Sequence, residues 1–385
     1  MFTSLSISNF RNLDELLLNS LVRVNLITGK NNTGKSSLLE AIALYSSNFD
    51  LQLVDQLLDD RGENYYKQQY PKVDAEANLK AISSLFSRQD VELKLKQGIK
   101  IVTDESQQIG LFNSNDFVAE TEMYGDALNL RVVKFVDEFT GKEDVFSSVR
   151  KRNVVDETSP DGDFKVGLEV TTSAGKKILS FDDERFFRKS YLRDGKKSTP
   201  LQFVRPLSID RDTNANLWDS ITLTPKEASV VEALRIIDPT IERLAFVNAG
   251  GTNRSAVVKL KNLEQPLPLR SMGDGINRIL TIVLALVNAE NGYLLIDEFE
   301  NGLHHSVQLN LWKILIPLAA KLNVQIFATT HNDDCIAAFG AALTTANAQQ
   351  DGKLIRLASK NGTVQAVEFD ANALKIAIDN NIEIR

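Results

Sequence analysis

The sequence predicts an α/β fold with a mixed sheet, interrupted by an inserted lobe of helices and antiparallel strands. A strand pattern at Leu21–Thr28 leads through a glycine-rich loop into the helical pattern SSLLEAIALYSS. The buried strand patterns YLLI and VQIFATT return in the last quarter of the chain. Between these halves, short runs alternate apolar and polar residues and are separated by Gly or Asp, as antiparallel strands are.

The predicted boundaries divide the chain into three segments. Residues 1–48 and 200–385 form the two parts of one α/β domain, and residues 49–199 form the inserted lobe. The lobe opens with the helical patterns FDLQLVDQLLDD and ANLKAISSLF. We interpret VELKLKQGIKIV, LRVVKFVDEF, FKVGLEVTTSAGKKILSF and LQFVRPLSI as strands of an antiparallel sheet. At the N-terminus, SLSISNFRNLDELLL is expected to pair with Leu21–Thr28 as a hairpin.

Composition excludes several classes of protein. The chain has 385 residues, 43% of them hydrophobic, which is enough for a sizeable core. Its longest apolar run, Ile279–Val287, is about half of the ~20 residues needed to cross a membrane. Cys335 is the only cysteine, so an internal disulfide and a thiolate-rich metal site are excluded. With no signal-peptide pattern at the N-terminus, we expect a cytoplasmic protein.

The segment GKNNTGKS matches the G-x-x-x-x-G-K-[ST] pattern of a phosphate-binding loop, or P-loop. Gly29 and Gly34 let the backbone curl around a polyphosphate, with N–H groups turned inward at the start of a helix. Lys35 is expected to reach the β- and γ-phosphates, and the Ser36 hydroxyl to ligate the Mg²⁺ that bridges them. The predicted cofactors are therefore ATP and Mg²⁺. Nucleotide contacts are predicted for Gly29, Lys30, Asn31, Asn32, Thr33, Gly34, Lys35, Ser36 and Ser37.

Two later strands end in residues suited to hydrolysis. GYLLIDEFENG reads as a Walker B strand, with Asp297 holding magnesium and Glu298 acting as a general base on the attacking water. VQIFATTH ends at His331, whose neutral imidazole could hydrogen-bond the γ-phosphate or the water. A histidine after a strand is otherwise structural, so its role depends on the acids before it. Lys35, Glu298 and His331 are the predicted catalytic residues.

A second glycine-rich helix start lies at LRSMGDGINR. Ser271, Gly273 and Gly275 open a long apolar helix and would form another anion-binding surface. One nucleotide cannot use both this surface and the P-loop of the same chain if they lie far apart. A head-to-tail dimer, in which each subunit caps the nucleotide of the other, is the economical solution.

Two basic features leave alternatives open. Arg11 falls near the predicted nucleotide and is either a turn residue or a nucleotide contact. Segment 185–197, RFFRKSYLRDGKK, interleaves six basic residues with three aromatic residues. Such a strip can grip a phosphate backbone, but it is more often a solvated strand pair with aromatics in the core. The net charge of −7 disfavours a protein coated all over in nucleic acid, although a local basic patch remains compatible with it.

These motifs in this order resemble the ABC-type ATPase heads of SMC proteins, recombination-mediator proteins and OLD (overcoming lysogenization defect) nucleases. LRSMGDGINR, LLIDEFENGLHHS and FATTHNDD look most like the stand-alone AAA-type ATPases of prokaryotic phage-defence operons. The resemblance implies a P-loop NTPase fold of the ABC/SMC-head type. It also implies that Ser271 and Gly273 form the signature, Asn301–His304 the D-loop, and His331 the switch histidine.

The sequence departs from that family in two motifs. Met272 stands between Ser271 and the first glycine of the signature, and Phe299 stands where many relatives have proline. OLD nucleases carry a Toprim domain behind the switch histidine, whereas KLIRLASKNGTVQAVEF reads as a plain hairpin without clustered carboxylates. We therefore expect no nuclease in this chain.

Three functions follow as hypotheses. The first is a homodimeric ATPase switch, in which ATP closes the dimer and the inserted lobe reports its state to a separate effector, a nuclease in phage defence. The second is a DNA-repair ATPase of the SMC or recombination-mediator kind that binds duplex DNA itself. The third, a transporter motor, is disfavoured by the large insertion, and no membrane partner is expected. Whether dimers assemble into higher oligomers stays open.

Overall fold

A computed structural model provides the fold. It describes residues 1–63, 75–87, 91–104, 127–140, 149–155, 163–183, 186–187, 199–206, 211–248, 254–360, 362–380, 382 and 384. The strands are β1 Leu5–Phe10, β2 Leu13–Leu18, β3 Val24–Thr28, β4 Ile99–Thr103, β5 Leu128–Thr140, β6 Val149–Val154, β7 Lys165–Thr172, β8 Gly175–Ser180, β9 Leu201–Val204, β10 Ile241–Asn248, β11 Arg254–Leu260, β12 Leu267–Pro268, β13 Tyr293–Ile296, β14 Gln325–Thr329, β15 Gly352–Lys360 and β16 Thr363–Phe369. The helices are α1 Lys35–Ser46, α2 Leu51–Asp60, α3 Ala75–Ser83, α4 Val91–Gln97, α5 Arg211–Asp219, α6 Lys226–Leu234, α7 Asp274–Asn288, α8 His305–Lys321, α9 Asp333–Thr345 and α10 Ala371–Asp379, with a 3₁₀ helix at Leu269–Met272 before α7.

The central sheet is mixed, as predicted. Its strand order is β16-β15-β3-β14-β13-β9, with parallel pairing from β15 to β9 and antiparallel pairing of β16. Successive side chains point to opposite faces. On β13, Leu294 and Ile296 join the core formed with α7, α8 and α9. Tyr293 and Leu295 join the core formed with α1, β1 and β2. This two-sided burial explains the continuous apolar patterns of the parallel strands.

The carboxyl ends of β3, β13 and β14 lead directly into the predicted motifs. β3 is followed by the P-loop and α1, β13 by Asp297 and Glu298, and β14 by Thr330 and His331. Because these three strands are parallel neighbours, the segments after them emerge at one edge of the sheet. The topology therefore brings together motifs that lie about 270 residues apart in the chain.

The second sheet is antiparallel and includes most of the strands predicted for the inserted lobe. Its order is β2-β1-β4-β5-β7-β8, with β6 also pairing with β5. LRVVKFVDEF and FKVGLEVTTSAGKKILSF form β5, β7 and β8, so those strand predictions are confirmed. The sheet also takes in β1 and β2, which precede the P-loop. The boundaries 1–48, 49–199 and 200–385 remain a prediction.

Three local predictions were wrong. β1 pairs with β2 through the turn at Arg11 and Asn12 rather than with Leu21–Thr28, because β3 lies between β14 and β15 in the other sheet. VELKLKQ forms helix α4, since its Glu, Leu, Lys and Gln favour helix and Gly98, at φ 80°, ends it before β4. LQFV forms β9 of the central sheet, pairing with β13 in parallel.

Two further features complete the described fold. A small sheet, β10-β11-β12, packs with α5, α6 and the 3₁₀ helix beside α7. No helix in the described part of the chain is long and apolar enough to cross a membrane. The basic strip 185–197 lies outside the described residues except for Phe186 and Phe187, whose rings are buried.

Candidate active site

The P-loop owes its shape to three residues with positive φ. Gly29, Asn32 and Gly34 have φ angles of 144°, 64° and 93°. A side chain at Gly29 would come within 2.3 Å of the carbonyl oxygen of Leu357, and one at Gly34 within 2.7 Å of the Leu13 side chain. Both positions therefore require glycine for conformation and for space. The loop they form ends at α1, whose first turn presents its backbone N–H groups.

Lys35 extends back along the loop. Its Nζ donates hydrogen bonds to the carbonyl oxygens of Gly29 at 2.6 Å and Lys30 at 3.0 Å. A charged phosphate oxygen is a stronger acceptor than a neutral carbonyl. The ammonium is thus held where a polyphosphate in the loop would compete for it, and the loop fits the predicted nucleotide.

Ser36, Asp297 and Thr329 form a chain of hydrogen bonds across the site. The Ser36 hydroxyl donates to Asp297 Oδ2 at 2.9 Å, and the Thr329 hydroxyl donates to Asp297 Oδ1 at 2.5 Å. Ser36 and Asp297, the two predicted metal ligands, are therefore in direct contact although they are 261 positions apart. Hydroxyl and carboxylate oxygens are the hard donors that Mg²⁺ prefers, so the pair fits the predicted metal.

Glu298 begins the loop after β13 in a strained backbone conformation. Its φ is 50°, and its N–H donates to the Thr329 hydroxyl at 2.9 Å. The next N–H, of Phe299, donates to the carbonyl of Thr329 at the same distance. Two hydrogen bonds donated to Thr329 of β14 therefore hold Glu298 in a left-handed conformation that a glutamate seldom adopts.

His331 lies beside these acids at the end of β14. Its backbone N–H donates to Glu300 Oε1 at 2.9 Å, and its side chain is 47% exposed. The imidazole lines the same cleft as Lys35, Ser36, Asp297 and Glu298. The structure thus brings the predicted catalytic and metal-binding residues together.

The cleft has a volume of about 790 Å³, within the range of ligand sites in proteins. Of the predicted P-loop contacts, its lining includes Asn31, Asn32, Gly34, Lys35, Ser36 and Ser37. Gly29, Lys30 and Thr33 shape the loop instead. The Thr33 hydroxyl donates to the carbonyl of Lys30 at 2.8 Å, which closes the loop on itself.

Arg11 lines the cleft and takes part in a buried ion network. Its Nε lies 2.5 Å from Glu40 Oε2, and its Nη1 donates to Glu63 Oε2 at 2.8 Å. Burial raises the pKa of Glu40, although Arg11 and Arg61 oppose that shift. Arg11 Nη2 is buried without a hydrogen-bond partner among the described residues. Arg11 is thus a turn residue between β1 and β2, and its contact with the nucleotide stays a prediction.

Ser271, Gly273 and Gly275 are not among the residues that line the cleft. Ser271 is exposed and donates to the carbonyl of Pro268 at 2.7 Å. Gly273, at φ 99°, has open space where a side chain would point. The start of α7 is therefore a surface feature, and the structure does not bring it to the P-loop of the same chain.

Arg278 is a site residue that the sequence reasoning missed. Its side chain donates hydrogen bonds to the carbonyl oxygens of Arg205 at 2.8 Å and of Asp297 and Glu298 at 2.9 Å each. Burial lowers its pKa, and nearby carboxylates oppose that effect. The sequence offered one signal for Arg278: it is a single charged residue inside the apolar helix pattern INRILTIVLALV. Arginines are seldom buried without partners, so a buried arginine there predicts specific contacts.

Residues 1–336 match the family model described as AAA ATPase domain. The chain belongs to this AAA ATPase family. The match spans the P-loop, the Asp297–Glu298 strand end and His331, and the protein is accordingly an ATPase with a P-loop α/β fold. A relative from Helicobacter pylori, named ATP/GTP phosphatase, is 23% identical over 87% of this chain and 86% of its own.

Solved SMC head domains align with nearly the whole of this chain, at TM-scores below 0.5. The SMC head bound to the C-winged helix domain of ScpA has a TM-score of 0.47 at 11% identity, covering 98% of this chain and 99% of that one. The SMC head from Thermotoga maritima has a TM-score of 0.43 at 12% identity, covering 96% and 99%. The family assignment rests on the domain match and not on these structures.

Proposed function

We propose that the cleft binds and hydrolyses ATP with Lys35 on the β- and γ-phosphates and Glu298 as general base. The observation that carries this is the Ser36–Asp297–Thr329 chain, which fixes the Asp297 carboxylate beside the P-loop hydroxyl. Mg²⁺, when bound there, would neutralise charge that develops on the phosphates. Glu298 lines the same cleft and is held by two backbone hydrogen bonds, so its carboxylate is positioned to accept a proton from water.

We expect the cleft to discriminate between nucleobases less strictly than it recognises the phosphates. Among the described residues, the cleft is lined by polar side chains and glycine, without Phe, Tyr or Trp to stack on a base. The relative named ATP/GTP phosphatase is consistent with such tolerance. We therefore propose ATP as the main substrate and GTP as a second one.

The active unit is proposed to be a head-to-tail homodimer. Ser271 and Gly273 are exposed at the start of α7, outside the cleft lining, with open space in front of Gly273. The N-terminus of a helix is a ready anion-binding surface. A second subunit could present this surface to the γ-phosphate, which would complete the site only when two nucleotide-bound chains meet.

The proposed cellular role is a nucleotide-driven switch in anti-phage defence with a separately encoded effector, favoured by the motif resemblance. The alternative is a repair ATPase that binds DNA directly. One observation favours that alternative: Lys100, Arg131 and Lys176 line a groove of about 360 Å³ on the lobe sheet. Glu169 contacts Arg131 and Lys176 and partly neutralises them. Salt-dependent binding of duplex DNA by the isolated protein would decide for the alternative.

Mixed dimers test the composite site. Ser271→Arg should spare ATP binding and abolish hydrolysis, whereas Lys35→Ala should lose ATP binding. A head-to-tail pair of the two variants contains one site with an intact P-loop and an intact signature, so mixing should restore part of the activity. No recovery in demonstrated mixed dimers would contradict independent composite sites. Recovery by Lys35→Ala mixed with Glu298→Gln would contradict the arrangement too, because both changes fall on the same half of each site.

A further inference from the structure

Glu300 is a nearly buried carboxylate immediately behind the switch histidine. Its side chain is only 9% exposed, and it follows the proposed general base by two residues. Glu300 Oε1 accepts the backbone N–H of His331 at 2.9 Å. The same oxygen lies 3.5 Å from His331 Nδ1. One carboxylate oxygen therefore faces both the backbone and the ring of His331.

The cost of burying this carboxylate indicates that it has a specific task. A buried charge without full hydrogen bonding is destabilising. Glu300 Oε2 is buried and has no hydrogen-bond partner in the described part of the chain. Arg278 interacts electrostatically with Glu300 but gives its hydrogen bonds to backbone carbonyls. A glutamine or an apolar side chain would stabilise this position more simply if backbone support were the whole purpose.

We propose that Glu300 is the positioning residue for His331 and fixes its tautomer, an inference that rests on the proposed catalytic role of His331. A small rotation of the ring shortens the 3.5 Å contact to a normal hydrogen bond of about 2.8 Å. Such contacts are commonly long before substrate binds. The proton then resides on Nδ1, and this N–H donates a hydrogen bond to Glu300 Oε1, as metal-bound histidines donate to carboxylates that orient them in other proteins.

This tautomer decides between the two roles open to the imidazole. With its proton on Nδ1, the neutral ring has a lone pair on Nε2. Nε2 accepts a hydrogen bond from the attacking water rather than donating one to the γ-phosphate. His331 thus orients the water, and Glu298 takes the proton from it. The hydrogen bond from Nδ1–H to Glu300 is sufficient to make Nε2 an acceptor, and no other group is needed.

Nitrogen-15 NMR of histidine-labelled protein tests the tautomer directly. The chain contains three histidines, so a His331→Gln spectrum assigns the signal of interest against His304 and His305. The full chain is measured with ATP and Mg²⁺ at pH 8.5, well above the ordinary histidine pKa of about 6.5. We expect protonated Nδ1 at His331 in the wild type and a shift toward protonated Nε2 in Glu300→Ala. The exposed Asp333→Asn is the matched control and should leave the tautomer unchanged.

Three results would overturn the proposal. The first is a proton on Nε2 of His331 in the wild type. The second is a tautomer of His331 that stays the same in Glu300→Ala. The third is a change in the control Asp333→Asn as large as the change in Glu300→Ala. If Glu300→Ala fails to fold, Glu300→Gln is the second variant, because its side chain keeps an acceptor for the backbone N–H of His331. Its amide oxygen accepts a weaker hydrogen bond from Nδ1–H than a carboxylate does. The nitrogen signals should therefore still move toward the tautomer with the proton on Nε2. Unmoved signals in that folded variant would equally contradict the proposal.

Kinetics separate this inference from the proposed role of His331. Glu300→Ala should lower kcat by about 10- to 100-fold, the usual effect of losing an orienting partner, with KM for ATP changed much less. The double variant with His331→Ala should be no slower than His331→Ala alone, since Glu300 acts through the ring. Additive losses would refute the positioning role. Wild-type turnover in His331→Ala would refute the catalytic role of His331 while leaving the tautomer result intact.

Discussion

Replacing Arg278 with methionine should damage stability and turnover together while sparing ATP binding. The side chain makes three hydrogen bonds, to the carbonyls of Arg205, Asp297 and Glu298. Hydrogen bonds to charged groups contribute about 1.5–3 kcal/mol each, so the gross loss is about 5–9 kcal/mol. Burying the guanidinium is itself unfavourable, and this burial also lowers the pKa of Arg278. Methionine removes that unfavourable term, which offsets part of the lost hydrogen-bond energy. A net destabilisation of about 3 kcal/mol is expected.

Thermal unfolding and steady-state kinetics measure these effects. About 3 kcal/mol should lower the unfolding midpoint of a 385-residue chain by roughly 4 °C. Turnover should fall at least tenfold, because the carbonyl clamp fixes the backbone that carries Glu298. ATP affinity should stay within about threefold, since Arg278 is not among the residues that line the cleft. Arg243→Met, at an exposed arginine on β10, is the matched control. Equal stability of the two variants, or wild-type turnover in Arg278→Met, would refute this reasoning.

The remaining predictions concern the phosphate contact and the basic strip. Lys35→Ala should abolish measurable ATP binding in titration calorimetry, because the ammonium is the main charge partner of the β- and γ-phosphates; unchanged affinity would remove the P-loop assignment. Serine replacements in the basic strip should leave basal ATPase activity intact and uncouple the biological output, and loss of ATPase activity would instead assign the strip to the catalytic core. The strip positions to replace are Arg188, Lys189, Arg193, Lys196 and Lys197.

Contiguous motifs were the predictable part of this site. GKNNTGKS and LLIDEFENG each carry their chemistry within a few residues, and parallel strands bring such segments to one edge of the sheet. The hydrogen bond from Ser36 to Asp297 shows that the fold brings these two segments into contact. Local patterns also identified β5, β7 and β8, where apolar and polar residues alternate in well-separated runs.

Contacts between distant segments were the part that sequence could not supply. Thr329 joins the site through a hydroxyl inside a plain strand pattern, and Arg278 acts through backbone carbonyls, which have no sequence signature. VELKLKQ alternates like a strand but forms a helix, because its Glu, Leu, Lys and Gln favour helix and Gly98 ends it before β4. The partner of β1 was likewise misjudged, since nearness in sequence favoured β3 as much as β2.

The central claim is that Glu298 is the general base of a site completed by two ATP-bound chains. The most direct measurement combines gel filtration with light scattering and single-turnover hydrolysis for Glu298→Gln. The amide retains the shape of glutamate but loses its basicity, so hydrolysis should slow by about 10²–10⁴-fold while ATP remains bound. With ATP and Mg²⁺ the variant should have twice the mass of a single chain, and without nucleotide it should return to one. Turnover within about tenfold of the wild type, or a single-chain mass in the presence of bound ATP, would contradict the account.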